Sequence, residues 1–255
     1  MRVIKLTISY DGTDFCGWQA QAEGRTVQTT LETAWQNITG EFIRFTASGR
    51  TDAGVHALGQ VVSARTCSSF PLARLPLALN ANLPADVRVL QAEDAPKDFC
   101  AILSARGKTY RYLIQDRPAH NVFWRRYAWH QPKQLDRISM QAAANLLIGE
   151  HDFQAFQGSG SPRKTTVRHV RRLTVDDHAT ELAPLLRIEI EANGFLYNMV
   201  RNIVGTLVEV GKGRAAPDWV GDVLRSCDRT QAGPTAPPQG LALVHVEYPK
   251  CGDTS

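Results

Sequence analysis

The stretch Gly49-Arg50-Thr51-Asp52-Ala53-Gly54-Val55-His56-Ala57 sets a carboxylate two residues after a cation, inside a turn bounded by glycines. Residues 42–48 before it and 60–65 after it read as strands, so the turn is expected on a loop between two paired strands. Loops on a rigid scaffold commonly present catalytic groups, which makes Asp52 the first candidate for chemistry. Taken by itself, an Asp-Ala-Gly turn is also consistent with a purely structural role.

Working outward, Ile4, Leu6, Ile8 and Tyr10 alternate with Val3, Lys5, Thr7 and Ser9, the period of a strand. Thr26 can cap a helix whose apolar stripe is Val27, Leu31, Ala34, Trp35 and Ile38 and which Gly40 stops. A short helix over 71–83 and a strand over 87–91 follow. The pattern weakens around 94–99, so the chain is divided near there into halves 1–105 and 106–255.

In the second half, a strand over 108–115 sets Tyr110, Tyr112 and Ile114 on one face. A helix over 135–148 precedes strands over 167–175 and 185–192. The last of these carries Leu186, Ile188 and Ile190 on one face and Arg187, Glu189 and Glu191 on the other. Leu196, Met199, Val200, Ile203, Leu207 and Val210 form a second helical stripe, with Arg201 off it and near Asn198 and Gly205. The order strand, helix, strand, strand, helix runs roughly twice. The expected fold is therefore α/β of the α+β type, with two related halves, each an antiparallel sheet backed by helices. Residues 158–162 and 230–239 read as loops.

With 255 residues the chain has ample apolar sequence for a sizeable core, and its formal charge of +4 favours a polyanionic partner only weakly. Local clustering says more. Arg163, Lys164, Arg168, Arg171 and Arg172 lie close together around His169, either as a solvated strand face or as a nucleic-acid footprint. The five cysteines are widely spaced, without a CxxC pair, which argues against a disulfide framework or a zinc knuckle. His56 and His151 have no further ligands at metal spacing, so no metal is expected. No run approaches membrane-spanning length and no apolar leader opens the chain, which reads as cytoplasmic.

The Asp52 stretch closely resembles the Asp motif of the TruA-type tRNA pseudouridine synthases, and further motifs agree in order and spacing. Tyr10-Asp11-Gly12-Thr13-Asp14-Phe15-Cys16-Gly17-Trp18-Gln19 is similar to the opening signature of that family. Leu79-Asn80 with Leu83-Pro84, Lys108-Thr109-Tyr110-Arg111-Tyr112 and Gly149-Glu150-His151-Asp152-Phe153 follow. Asn193-Gly194-Phe195-Leu196-Tyr197-Asn198-Met199-Val200-Arg201-Asn202-Ile203-Val204-Gly205 resembles the arginine motif, and Ala236-Pro237-Pro238-Gln239-Gly240-Leu241 the closing segment. Two departures stand out: Tyr197-Asn198, where many relatives carry histidine-containing variants, and Ile102-Leu103 ahead of the tyrosine motif.

The resemblance implies the pseudouridine synthase fold with a central active-site cleft. It also implies isomerisation of uridine to pseudouridine at positions 38, 39 and 40 of the tRNA anticodon stem-loop by a homodimer, with no cofactor. Asp52 is implied as the catalytic carboxylate, Arg201 as its partner, and Tyr110 as the residue that stacks on the uracil and assists removal of the C5 proton. Arg50 is implied to hold the target nucleotide out and Leu196 to line the base pocket, with Arg168 and Arg171 as candidate phosphate contacts. From the residues alone, Tyr110 reads also as a core tyrosine, Arg201 as a surface arginine, Arg50 as a salt-bridge partner and Leu196 as part of its stripe. Two other functions remain open: a noncatalytic RNA-binding module or chaperone on this fold, and a glycoside hydrolase using Asp11 and Asp52.

Overall fold

The computed structural model describes residues 1–158, 160, 165–182 and 184–249. The chain divides into two compact units, Met1–Arg106 with the segment from Ala242 onward, and Gly107–Leu241. The sequence reading, which gives everything after 105 to the second half, differs at the final strand. That strand belongs with the first unit because Ala242 and Leu243 pair with His56 and Ala57.

In the first unit, strand β1 (Arg2–Tyr10) is followed by helix α1 (Val27–Thr39), β2 (Thr46–Ala47), β3 (His56–Thr66), α2 (Leu75–Asn82) and β4 (Val87–Ala95). β1 lies between β3 and β4 and is antiparallel to both. Helix α1 forms as its sequence dictates. The Thr26 side chain accepts from the Thr29 N–H, and Gly40, in the left-handed region, donates its N–H to the Gln36 carbonyl. Val27, Leu31, Ala34 and Trp35 are buried, and the Trp35 ring meets Phe45 edge-on at 5.8 Å.

The strand expected over 42–48 shrinks to Thr46–Ala47 for a specific reason. The Phe45 N–H donates to Glu32 Oε1 at 3.0 Å and its carbonyl accepts from Gln28 Nε2 at 3.2 Å. Side chains of α1 thus take the backbone groups that a ladder would use. β2 and β3 are nevertheless paired, so the Asp52 turn does join two paired strands.

In the second unit, β5 (Gly107–Asp116) leads through β6 (Trp129–Gln131), α3 (Arg137–Asn145), β7 (Gly149–Asp152), β8 (Val167–His178) and β9 (Leu185–Ala192) to α4 (Met199–Gly211) and α5 (Trp219–Ser226). β9 pairs antiparallel with β5 and β8, and β8 with β7, while β6 runs parallel to β5. Each unit therefore has a first strand antiparallel to a later one, which is in turn antiparallel to the strand preceding it: β1–β3–β2 and β5–β9–β8. Tyr110, Tyr112, Ile114, Leu186, Ile188 and Ile190 are all buried, as their alternation predicts. α3 starts later than expected because Asp136 caps it, accepting from the Ile138 and Ser139 N–H groups, and it ends at Asn145, three residues short of the expected end.

Leu196 lies outside α4, contrary to the stripe drawn through it. Asn198 adopts φ 58, a left-handed conformation that separates Leu196 from the helix beginning at Met199. The final strand, β10 (Leu241–Glu247), runs parallel to β3.

The Thr26→Ala variant should lose about 1 kcal/mol of stability. Its melting temperature in a thermal scan should fall by roughly 2–4 °C with spectra otherwise unchanged.

Candidate active site

Asp52 is half-buried, Arg50 is exposed, and the turn carrying them is clamped from behind by the opening segment 10–18. The clamp is made mainly of backbone. Trp18 N–H donates to the Thr51 carbonyl at 3.0 Å, Gly54 N–H to the Phe15 carbonyl at 3.4 Å, and Val55 N–H to the Asp52 carbonyl at 3.1 Å. A Cβ on Gly12 would sit 2.0 Å from the Val55 carbonyl oxygen. Gly17, at φ +95, would bring one within 2.8 Å of the Thr51 carbonyl. Glycine is required at both positions for two backbones to approach so closely.

Side chains from the core complete the clamp. Tyr10 OH and Thr51 Oγ1 are 2.8 Å apart. Gln60 Nε2 donates to the Gly49 carbonyl at 2.8 Å, and Gln60 Oε1 accepts from Ser48 Oγ at 2.7 Å. The residues on both sides of Arg50 are thereby tied to the buried face of β1 and β3. Burial pushes the Tyr10 hydroxyl up to about 12, an effect that its bonds with Thr51 and Gln60 only partly offset.

Asp11 is engaged at the other end of the same segment. Its Oδ1 accepts from Thr13 N–H at 3.0 Å and from Thr13 Oγ1 at 2.6 Å, and lies 3.1 Å from His56 Nδ1. That nitrogen is also 3.0 Å from the Gly12 N–H, so it either accepts from Gly12 or, when protonated, donates to Asp11. Asp11 thus ties the opening segment to His56 at the end of the turn, an engagement that disfavours its use as a second carboxylate for glycoside hydrolysis.

In the second unit, Tyr110 is buried on β5 with its ring edge-on to Phe195 at 5.0 Å. Leu196 is buried in the turn before α4. Arg201 is half-buried: its Nε donates to the Ala236 carbonyl at 2.7 Å and its Nη1 to Asn198 Oδ1 at 3.1 Å. The left-handed Asn198 therefore both starts the helix and orients the guanidinium. Gly205 keeps the same neighbourhood tight, since a Cβ there would lie 1.7 Å from the Pro234 carbonyl oxygen. Tyr112 is pushed far above its ordinary value by burial, with the charge of Arg201 acting against that rise. Its hydroxyl donates to the Pro237 carbonyl at 2.7 Å. The arginine motif, the tyrosine motif and the closing segment are one packed cluster.

The basic cluster is less free than its sequence suggests. On β8 the register shifts between Val170 and Arg172, and both Arg171 and Arg172 are exposed. Arg171 pairs with Glu191 at 3.4 Å and Arg172 with Glu189 at 2.8 Å, while Arg168 Nη1 donates to the Val167 and Thr165 carbonyls at 2.6 and 3.1 Å. Arg163 and Lys164 lie outside the described residues, as does Cys251. The other four cysteines are free thiols, and no group of three or more metal-ligating side chains occurs among the described residues. Among those residues, no helix is long and apolar enough to cross a membrane.

Sequence reasoning passed over Gln60 and Asn202, whereas the expected nearness of Asn198 to Arg201 is seen in their hydrogen bond. Gln60 and Asn202 each carried a signal, being a polar residue at a core position of an apolar pattern. Asn202 is fully buried, donating to the Phe156 carbonyl at 2.8 Å and accepting from Thr235 Oγ1 at 2.7 Å.

Residues 6–102 and 143–249 match the family model described as tRNA pseudouridine synthase. A curated relative from Thermoanaerobacter sp. (strain X514), called tRNA pseudouridine synthase A, is 47% identical over 97% of this chain and 100% of its own. Relatives of that name from Caldicellulosiruptor bescii and Moorella thermoacetica are each 46% identical over the same shares.

Two outcomes follow from the clamp. Gly12→Ala should push the turn away from residues 10–18, cost about 1–3 kcal/mol and speed hydrogen exchange at the Val55 amide. The raised Tyr10 value means that the folded state holds this proton more tightly than the unfolded chain. Its contribution to stability is whole below pH 10 and is lost as pH rises toward 12. Wild type should therefore lose its melting-temperature advantage over Tyr10→Phe across that interval, and a constant difference would contradict the assignment.

Proposed function

The chain belongs to the tRNA pseudouridine synthase family, a family of isomerases, and from that premise we propose that it converts uridines 38, 39 and 40 of the tRNA anticodon stem-loop to pseudouridine, with Asp52 as the catalytic carboxylate. The observation that carries this reading is the clamp on the Asp52 turn. An entire motif, with two glycines packed so closely on the turn's backbone that neither has room for a Cβ, holds the turn that carries one half-buried carboxylate.

The reaction breaks the bond between ribose C1′ and uracil N1, turns the base, and joins C1′ to C5. The C5 proton leaves and N1 ends protonated, so the isomerisation is redox-neutral and calls for no cofactor. It requires a carboxylate that attacks or stabilises an electron-poor carbon, and that carboxylate must be ionised. The role proposed for Arg201 is to keep it so. Its guanidinium is held in one orientation, through Nε by the Ala236 carbonyl and through Nη1 by Asn198 Oδ1.

Tyr110 is proposed to face the extruded uracil and assist at C5, Leu196 to line the base pocket, and Arg50 to hold the nucleotide out of the stem. The proposed setting is a cleft that takes the base, in a cytoplasmic homodimer whose two subunits hold one tRNA. Arg168 and Arg171 are proposed phosphate contacts, reached by exchange of Glu191 and backbone carbonyls for RNA. A noncatalytic RNA-binding role is the alternative that turnover decides.

Asp52→Asn should abolish pseudouridine formation in tRNA while leaving tRNA affinity within a few-fold of wild type, because phosphates dominate the interface. Mapping of pseudouridine in the treated tRNA checks this, and substantial turnover by the variant overturns the assignment. Arg201→Lys should lower kcat more than it weakens binding. Tyr110→Phe keeps the ring and removes only the hydroxyl. If that hydroxyl assists proton transfer, the rate falls roughly 10²–10⁴-fold with affinity retained.

A further inference from the structure

From Arg117 to Leu135 the chain carries Arg117, Arg125, Arg126 and Lys133, four aromatic residues and two histidines, without a single Asp or Glu. This is the interleaving of cations and rings that suits a single-stranded or irregular nucleic acid. It is a different segment from the β8 cluster, and the structure treats the two oppositely. On β8, Arg171 and Arg172 are paired with the glutamates of β9. Arg117, Arg125 and Lys133 are exposed and enter no ion pair among the described residues.

The loop is also built to hold its shape. Asn121 N–H donates to the buried Gln115 at 2.9 Å, and the Asn121 side chain accepts from Phe123 N–H at 3.0 Å, capping a single 3-10 turn. Arg125 Nη1 donates to the Val122 carbonyl at 3.0 Å. His130 Nε2 lies 2.8 Å from the Arg117 carbonyl, and its ring sits 5.0 Å from that of His120. Phe123, 67% exposed, stands at the tip of this braced turn. Phe123 and the neighbouring Val122, 58% exposed, form an apolar tip whose turn also carries Arg125, and this combination of a ring and a cation matches a polyanion with flat faces.

We propose that this loop is a second RNA-contacting surface, at which Arg117, Arg125 and Lys133 take backbone phosphates and Phe123 takes the face of a base. The inference rests on the functional reading above and extends it. Arg117 follows Tyr110 by seven residues along β5 and its end, so Arg117 lies about 23 Å from the tyrosine proposed to face the uracil. The loop therefore grips a part of the tRNA remote from the reacting nucleotide, and contributes to capture more than to chemistry.

The test uses full-length protein and full-length tRNA, comparing wild type with the triple variant Arg117→Gln, Arg125→Gln, Lys133→Gln and, separately, with Phe123→Ser. If each cation meets one phosphate, the triple variant should reduce the slope of log Kd against log salt by about 2–3. It should bind at least ten-fold more weakly at low salt, with the loss falling on KM rather than kcat and the melting temperature unchanged. Phe123→Ser should weaken binding without altering the slope. Wild-type turnover of tRNA together with an unchanged slope in the triple variant overturns this inference alone. Absence of turnover by wild type overturns the functional reading and this inference with it. Should Phe123→Ser halve the solution mass while tRNA affinity stays that of wild type, the loop is a contact between copies of this chain and the RNA role is overturned.

Discussion

Everything proposed for the first unit depends on one steric constraint: the backbone of residues 10–18 lies directly against the backbone of the Asp52 turn, closer than any side chain on Gly12 or Gly17 would allow. Backbone contact leaves little play, because main-chain atoms cannot rotate out of the way as a long side chain can. The carboxylate is consequently located by the strand β1 that delivers the segment and by the strand β3 that receives the turn. Tyr10 and Gln60 extend this constraint into the core. Both are buried polar groups bonded to the turn itself, so displacing the turn would cost each of them that bond, about 0.5–1.5 kcal/mol apiece.

The second unit meets a comparable demand by a different route. Arg201 is fixed on one side by the left-handed Asn198 and on the other by the closing segment, whose Ala236 both accepts from its guanidinium and donates its own N–H to the Arg201 carbonyl at 3.1 Å. The proline-rich stretch that reads as a connector is therefore structural. Thr235 and Gly233 bond to Asn202 and Thr206 on α4, and Gly240 abuts the ring of Tyr112. Motifs far apart in sequence are thus parts of two packed clusters, one in each unit.

Where local physics decides the outcome, the sequence is legible. The capped helix α1, the alternation in β1, β5 and β9, and the position of the Asp52 turn between paired strands all follow from period and capping. The misreadings come from tertiary competition. Residues 42–45 have strand character, yet Glu32 and Gln28 capture the Phe45 backbone. Leu196 has helical spacing, yet a single φ of 58 at Asn198 removes it from the helix, and no periodicity argument registers one dihedral. The site residues were nameable because the motifs resemble a known family. The groups that hold them, Gln60 above all, were not, since a glutamine inside an apolar strand declares burial without declaring its partners.

Charge shows the same limit from the other direction. Arg168, Arg171 and Arg172 form the denser cluster on paper, but on the neighbouring strand β9 Glu191, in register with Arg172, pairs with Arg171, and Glu189, in register with Thr174, pairs with Arg172. Sequence separation of about 20 residues hides that neutralisation, because cross-strand neighbours are set by the ladder and not by proximity in the chain. An exposed ion pair of this kind is worth little, on the order of 0–1 kcal/mol, so phosphates can still compete for those arginines. They must displace a carboxylate to do so. Arg117, Arg125 and Lys133 face no such competitor among the described residues, and the electrostatic pull of the second unit on a polyanion is accordingly weighted toward a loop that charge density alone would rank second.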